Sequence, residues 1–448
     1  MHLHILGICG TFMAGIAAIA KANGHRVTGC DKNVYPPMST QLEAMGIDLI
    51  EGYDKKQVSL KPDIYVIGNV VSRGNPLMEH ILNKNLPYQS GPEWIYQNIL
   101  HKKWVIAVAG THGKTTTTAM LAWILDFNGF DPGYLIGGIP INFESSARDS
   151  KNSDFFVIEA DEYDSAFFDK RSKFIHYHPR TLVLNNLEYD HADIFDSLKD
   201  IERQFHHLIR SLPSQARIIV NQECANLKNL IKKGCWSEQD YFGSDKGWSY
   251  KLKDQNYIEF FYNAKLQGTL KWDLLGHHNA MNALAAIAAA KHAGIIPSQA
   301  IEALESFRGV KRRMEKLAEI NGAIFYDDFA HHPTAIKTTI DGLKSVSKNS
   351  RKIIALDPRS NTMRMGTLRA ELKKSLADAD RVYVYASKDL SWNPIDLFSD
   401  CEHIFIYENI DEMLQSILNN TNQGDHVVFM SNGSFSGIQK KLSELSQP

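Results

Sequence analysis

The chain has 448 residues, 44% of them hydrophobic and 22% charged, with 49 Lys and Arg against 51 Asp and Glu. That length calls for two or three domains, and a net charge of −2 excludes the broad basic field that nucleic acid or an acidic lipid surface requires. The five cysteines, Cys9, Cys30, Cys224, Cys235 and Cys401, are scattered without a Cys-x-x-Cys pair, which argues against a disulfide scaffold and a structural zinc site.

The most apolar helical stretch, 280–290, is short, alanine-rich and broken by Asn282, so no membrane span is expected. The start of the chain reads as strand then turn, with no basic region and no long apolar core. No signal peptide is expected there, and the reading is a cytoplasmic enzyme. Apolar strands alternate with helical runs along most of the length, the pattern of parallel α/β sheets.

The first unit opens with a strand over 2–6 and turns through Gly7, Ile8, Cys9, Gly10 and Thr11. A helix runs to Asn23-Gly24, and a second strand over 26–30 ends at Asp31. Further strands are expected near 64–67 and 86–88, with closure by residue 103. A dinucleotide fold looks similar, but Cys9 and Phe12 stand where its second and third glycines belong. A dinucleotide, a nucleotide-sugar and a plain structural turn all remain open there.

The second unit opens with the most informative segment. An apolar strand over 104–109 leads into Gly110-Thr111-His112-Gly113-Lys114-Thr115-Thr116, and a helix leads out. Strand, glycine turn, Lys-Thr and helix form the context of a phosphate loop. Its backbone N–H groups and the helix N-terminus attract phosphate oxygens. Lys114 reaches the outer phosphates and Thr115 offers a hydroxyl to magnesium. The loop is one glycine short on the strand side, where Val108 stands.

Acidic strand ends follow. Glu159, Asp161 and Glu162 close a strand over 154–158, placed as the acid that holds magnesium opposite a phosphate loop. Asn185 to His191 repeats the arrangement one strand later, with His191 placed to contact a second metal ion. Residues 241–274 alternate aromatics without helical period and read as an antiparallel addition. Asn279 and Asn282 then share one helix face, as an adenine reader or, for Asn279, a helix cap. His277 and His278 lack a third ligand at zinc spacing.

The third unit begins near Lys311, with strands over 323–326, 352–356, 381–385, 403–406 and 427–430. Arg312-Arg313 stands at the hinge, and Asp327-Asp328 ends the first strand before His331-His332-Pro333. By spacing alone either pair is a surface charge pair or a clamp over a nucleotide.

Taken in order, Gly-Thr-His-Gly-Lys-Thr-Thr, Glu-Ala-Asp-Glu, Asp-His, Gly-His-His-Asn-x-x-Asn, Arg-Arg and Asp-Asp-x-x-His-His-Pro resemble the Mur ligases over essentially the whole chain. The resemblance implies an α/β, three-domain Mur ligase architecture: a Rossmann-like UDP-binding domain (1–103), a central P-loop ATPase domain (104–310) and a C-terminal Rossmann-like domain (311–448). It implies an ATP-dependent amide-bond ligase acting on UDP-N-acetylmuramate through an acyl phosphate, with ATP and Mg2+ required. It assigns Gly110 to Thr116 to the phosphates; Lys114, Glu159 and His191 to catalysis; Thr115, Glu159 and His191 to the metal; Asn279 and Asn282 to the adenine side; Arg312 and Asp328 to closure over ATP. The UDP-sugar falls to Gly7, Cys9, Gly10, Thr11, Asp31, Ser72, Arg73 and Asn75.

Alanine-adding members carry a Pro-His-Arg-Tyr-type motif in the third domain. Here residues 356–366 are similar instead to members that attach a whole murein tripeptide, L-alanyl-γ-D-glutamyl-meso-diaminopimelate. Ser72 to Pro76 is similar to the same members. Arg359, Ser360, Asn361 and Arg364 are then the acceptor residues, with Lys388 as a weaker candidate, because planar guanidinium donors suit carboxylates. Several Mur ligases carry a modified lysine shortly after the metal-site histidine, where this chain has Gln204, Phe205, His206 and His207. A nicotinamide-dependent dehydrogenase leaves Lys114, Thr115 and Glu159 unexplained. A nucleotide-binding regulator without turnover is the remaining alternative.

Overall fold

The structure is a computed structural model that describes residues 1–34, 38–254, 257–272, 274, 276–346 and 350–445. Three main sheets carry it. The first has five parallel strands, Asp48–Glu51, Arg26–Asp31, His2–Leu6, Ile64–Ile67 and Tyr88–Ser90, in that spatial order. His2–Leu6 is buried at every position, which is why its sequence is a near-continuous apolar run. Connections leave it in both directions. Its carboxyl end is therefore the point where the strand order reverses, and ligands bind open sheets at that crevice.

The middle sheet has ten strands. Trp104–Ala109 lies between Phe155–Ala160 and Thr181–Leu184, all parallel. Beyond Thr181–Leu184 come Arg217–Asn221 and a parallel strand, Glu238–Phe242, that the sequence pattern did not single out. An antiparallel meander of Trp248–Asp254, Tyr257–Tyr262 and Lys265–Lys271 extends that edge. It is the aromatic addition expected over 241–274, of which residues 255, 256 and 273 lie outside the described residues. The helix His277–His292 is buried along Ala280–Ala290 against the helix Lys114–Phe127, and its alanines permit that close approach.

The third sheet orders Glu315–Ile320, Ala323–Asp328, His426–Met430, Lys352–Leu356, Arg381–Tyr385 and Ile404–Tyr407. Its first strand is thus Glu315–Ile320, antiparallel to Ala323–Asp328, where the sequence placed the start at 323. The strand order reverses between Lys352–Leu356 and His426–Met430, which pair in parallel.

The first and middle sheets share one apolar core. Ile16 and Ala17 on the helix Thr11–Ala22 belong to the same buried cluster as Leu135, Ala147 and Ile158. Gly15 is the point of contact: a Cβ there would stand 2.2 Å from Leu135 Cδ1. Its role is helix packing rather than phosphate binding, and any side chain there would push the two sheets apart.

Candidate active site

The phosphate loop follows Trp104–Ala109, and Gly113, at φ 78°, caps the helix Lys114–Phe127. A Cβ on Gly113 would lie 2.6 Å from Asn282 Oδ1, so glycine is required by conformation and by space. The neighbouring strand end braces the loop. Asn186 Oδ1 accepts from the His112 amide (2.7 Å) and Asn186 Nδ2 donates to the His112 carbonyl (3.1 Å). Thr111 Oγ1 accepts from the Glu188 amide at 2.8 Å.

Lys114 Nζ donates to Glu162 Oε2 at 2.8 Å and lies 4.0 Å from Asp161 Oδ1. Both partners are sequestered, with side-chain exposures of 11% for Lys114 and 2% for Glu162. Burial works against the ammonium, but Glu162, Asp161 and Glu159 more than offset it and raise its pKa above the usual lysine range. Thr115 Oγ1 donates to Glu159 Oε1 at 3.0 Å, and Glu159 Oε2 accepts from the Gly137 amide at 2.7 Å. Burial raises the Glu159 carboxyl in spite of Lys114, leaving a desolvated oxygen donor that a cation would stabilise.

His191 has φ 56°, a left-handed conformation that turns its ring back toward the middle sheet. Its Nε2 lies 3.0 Å from Glu162 Oε1. Burial opposes its protonation, yet Glu162 and Asp190 leave its pKa raised. Asp161, Glu162 and His191 each present a ligand atom, all within 4.8 Å of one another. The carboxylate and imidazole donors fit a divalent cation beside the phosphate loop. The acidic strand end expected opposite the loop is there, with Asp161 and Glu162 joining Glu159 beside Lys114. Their part follows from the alternation of Glu159 to Glu162 past the strand end.

Lys173 carries no sequence signal. It nevertheless donates to Asp161 Oδ2 at 3.0 Å, and its Nζ stands 5.1 Å from the centre of the Phe12 ring. It joins the first-sheet glycine turn to the metal-side carboxylates.

Two expected nucleotide contacts are placed differently. Arg312 is tied into the C-terminal sheet, with Nε on Asp327 Oδ2 (3.0 Å) and Nη2 on the Ser431 carbonyl (2.9 Å). Arg313 is the residue that reaches the loop, its Nη2 3.4 Å from Thr115 Oγ1. Adjacent residues diverge because Arg312 takes a left-handed φ of 61°. Asn282 is 7% exposed and accepts from Asn185 Nδ2 at 3.2 Å, beneath the loop rather than on an adenine-facing surface. Asn279 is partly buried in the first turn of the same helix, whose cap is Gly276. Asp328 accepts from the Met314 (2.9 Å) and Ala330 (2.8 Å) amides, which fixes the hinge.

In the first sheet, the Cys9 amide donates to Asp31 Oδ2 at 2.9 Å and the Gly7 amide to the Cys30 carbonyl at 2.8 Å, so the turn is preformed. Thr11 opens the helix. The segment with Ser72 follows Ile64–Ile67 at the same crevice, where Val70 would meet a Cβ on Gly7 at 2.7 Å. Arg73 pairs with Glu79 at 2.9 Å while 69% exposed, and Asn75 caps the helix Pro76–Asn83 through the Met78 amide. Gly10 has φ −69° and room for a Cβ. Gly10→Ala should therefore fold normally while raising the KM for a diphosphate ligand and sparing that for ATP, as paired saturation curves would record.

In the C-terminal sheet, Arg359 follows Lys352–Leu356 at the order reversal. It is exposed and has no hydrogen bond or ion pair among the described residues. It lines a cleft of about 110 Å³ shared with His191, Tyr163 and Asn432, and another of about 620 Å³ with Arg364, Lys388 and Trp392. Arg364 lies 3.8 Å from Asp389. Ser360 and Asn361 are committed elsewhere. Ser360 caps its helix through the Met363 amide, and Asn361 Nδ2 donates to Asp193 Oδ2 at 2.9 Å. Asn361 and Thr362, whose Oγ1 donates to Asp190 Oδ1 at 2.8 Å, dock the third sheet on the second. Of the region after His191, Gln204 accepts from the Ser172 amide at 3.4 Å and His206 packs near the Trp236 ring. His207 lies on the same helix, Leu198–Ser211.

Three α/β sheets, a phosphate loop and a carboxylate–imidazole cluster are the frame of a multidomain ATP-dependent ligase. The chain belongs to the Mur ligase family. Residues 2–103 match the Mur ligase family catalytic domain, 108–290 the Mur ligase middle domain and 312–433 the Mur ligase glutamate ligase domain. The UDP-N-acetylmuramate–L-alanyl-γ-D-glutamyl-meso-2,6-diaminoheptandioate ligase of Escherichia coli (strain K12) is 51% identical over 99% of this chain and 97% of that protein. A crystal structure of a murein peptide ligase from Psychrobacter arcticus 273-4 is 42% identical, covers 99% of this chain and 98% of its own, and superposes with a TM-score of 0.76. The UDP-N-acetylmuramate:L-alanyl-γ-D-glutamyl-meso-diaminopimelate ligase from Neisseria meningitides is 55% identical over 69% of this chain and 99% of its own, with a TM-score of 0.68. No helix among the described residues is long and apolar enough to cross a membrane.

Proposed function

We propose that this chain is the ATP-dependent ligase that joins UDP-N-acetylmuramate to the murein tripeptide L-alanyl-γ-D-glutamyl-meso-diaminopimelate, in peptidoglycan recycling. The observation that carries this reading is 51% identity to a ligase of that name across nearly the full length of both chains. The unpaired Arg359 supports it, standing between the phosphate-loop cluster and a cleft large enough for a peptide. Domains of 1–103, 104–310 and 311–448 would take UDP-sugar, ATP and acceptor in turn. ATP and a UDP-linked sugar are cytoplasmic metabolites, so this reading puts the protein in that compartment.

A carboxylate is a poor electrophile, so the lactyl carboxylate is first phosphorylated. The peptide amine then attacks the acyl carbon and phosphate leaves. Gly110 to Thr116 would cradle the phosphates, and Lys114 would neutralise charge on the transferring phosphoryl group. Thr115, Glu159 and His191, joined by Asp161 and Glu162, would hold Mg2+, whose chemistry is charge neutralisation on phosphoryl oxygens. Lys173 would orient Asp161 from the sugar side, and Arg313 would close on Thr115. Asn279 would contact the nucleoside end, and Asp328 would fix the hinge for closure over ATP. Gly7, Cys9, Gly10, Thr11 and Asp31, with Ser72, would hold the UDP-sugar. Positioning and electrostatics supply most of the rate.

The test is ADP release on mixing enzyme, ATP, Mg2+ and UDP-N-acetylmuramate with either the tripeptide or free L-alanine. Turnover with the tripeptide and little with L-alanine is expected. Preference for L-alanine would make the chain the alanine-adding relative. No release with any amine would make it a non-catalytic binder. Glu159→Gln should lower Mg2+-dependent activity and be partly rescued by raised Mg2+, with His191→Ala milder because a neutral imidazole contributes less charge. Equal activity without Mg2+ would contradict the metal assignment.

A further inference from the structure

A second cluster adjoins the phosphate loop where the middle and C-terminal units meet. His112 Nε2 is 3.4 Å and His332 Nδ1 is 3.8 Å from Glu188 Oε2, and the three ligand atoms lie within 4.8 Å of one another. Donor atoms bound at about 2.0–2.1 Å to a tetrahedral zinc-type ion stand about 3.3 Å apart. The observed spacing is close to that of a ligand set.

The chemistry agrees. His332 is 5% exposed, and its Nε2 meets the Tyr189 carbonyl at 3.1 Å, so Nε2 carries the proton and Nδ1 presents its lone pair inward. Metal-ligating histidines are oriented by this kind of backbone contact. Nδ1 takes only a long contact, 3.3 Å, from the Thr334 amide. His112 Nε2 is buried without a hydrogen-bond partner, while the His112 backbone is clamped by Asn186. Glu188 Oε2 accepts one hydrogen bond, from Thr334 Oγ1 at 2.6 Å; a carboxylate has lone pairs left for a cation.

We propose that His112, Glu188 and His332 form a binding site for a borderline divalent transition ion of the zinc class, distinct from the Mg2+ cluster. Two imidazoles and one carboxylate select such ions over Mg2+, which prefers oxygen ligands and keeps its waters. One ligand belongs to the phosphate loop and one to the C-terminal sheet. A bound ion ties the loop to that sheet in the arrangement seen here.

The test titrates chelator-treated full-length protein with Co2+ in excess Mg2+, following visible absorption, with Zn2+ as competitor. One saturable, Zn2+-displaceable ion per chain is expected. Its affinity should fall at least tenfold in Glu188→Gln and in His112→Gln, whose Nε2 holds no structural hydrogen bond. It should persist in His191→Ala. His332→Ala should also lose the ion, but thermal melting must accompany it because the Tyr189 contact goes too. No absorption from the wild type, full affinity in either glutamine variant, or loss in His191→Ala alone would overturn the proposal.

Discussion

Replacing Lys114 with alanine is expected to abolish ligation, with a loss of at least about a hundredfold in rate from one preorganised charge contact. The structure adds a second effect that a solvent-facing phosphate cradle would not show. Lys114 and Glu162 form a buried pair, and removing one member of such a pair costs about 3–5 kcal/mol because the other charge is left uncompensated. The expected result is therefore a lowered Tm together with lost turnover. Lys114→Arg keeps the charge and should restore much of the Tm but little of the rate, since a guanidinium cannot occupy the ammonium's place at the loop. Melting curves and ADP release on both variants separate the effects. Wild-type turnover by Lys114→Ala would remove the phosphate-loop argument altogether.

Arg359→Ala is expected to raise the KM for the tripeptide far more than those for ATP or UDP-N-acetylmuramate. The side chain is exposed and unpaired, so its removal leaves the Tm unchanged. A charge-assisted hydrogen bond to a carboxylate is worth about 1.5–3 kcal/mol, which is roughly ten- to a hundredfold in KM. Arg364→Ala should do less, because Asp389 already competes for it. Kinetic constants for all three substrates decide the matter: if they shift together, Arg359 is structural, since Gly433 packs directly against its stem.

The contrast between Ser360 and Arg359 shows how far local sequence goes. All four polar residues of that turn look alike as candidate ligands. Ser360 caps a helix three residues on, a local contact, whereas only the docking of the third sheet on the second reveals that Asn361 bonds Asp193, leaving Arg359 exposed without a hydrogen bond or ion pair among the described residues. The same holds at the hinge. Arg312 and Arg313 are indistinguishable by spacing, and a single left-handed φ sends one into its own sheet and the other to Thr115.

What the sequence determined by itself was everything written in local period and turn chemistry. The buried strands appear as apolar runs, the phosphate loop as Gly-x-x-Gly-Lys-Thr between strand and helix, and the acids at strand ends, because each depends on residues adjacent in the chain. Strands such as Glu238–Phe242 and Glu315–Ile320 escaped because their sequences, EQDYF and EKLAEI, are rich in polar residues and carry neither an apolar run nor a clean alternation, and they are held by pairing with the strands Arg217–Asn221 and Ala323–Asp328. The tertiary structure alone decided the partnerships: Lys114 with Glu162, Asn282 beneath the loop, Lys173 between two sheets, and His112 facing His332. Those pairings arise from sheets packing against one another. The desolvation and charge matching that give them their chemistry exist only after that packing has removed the water.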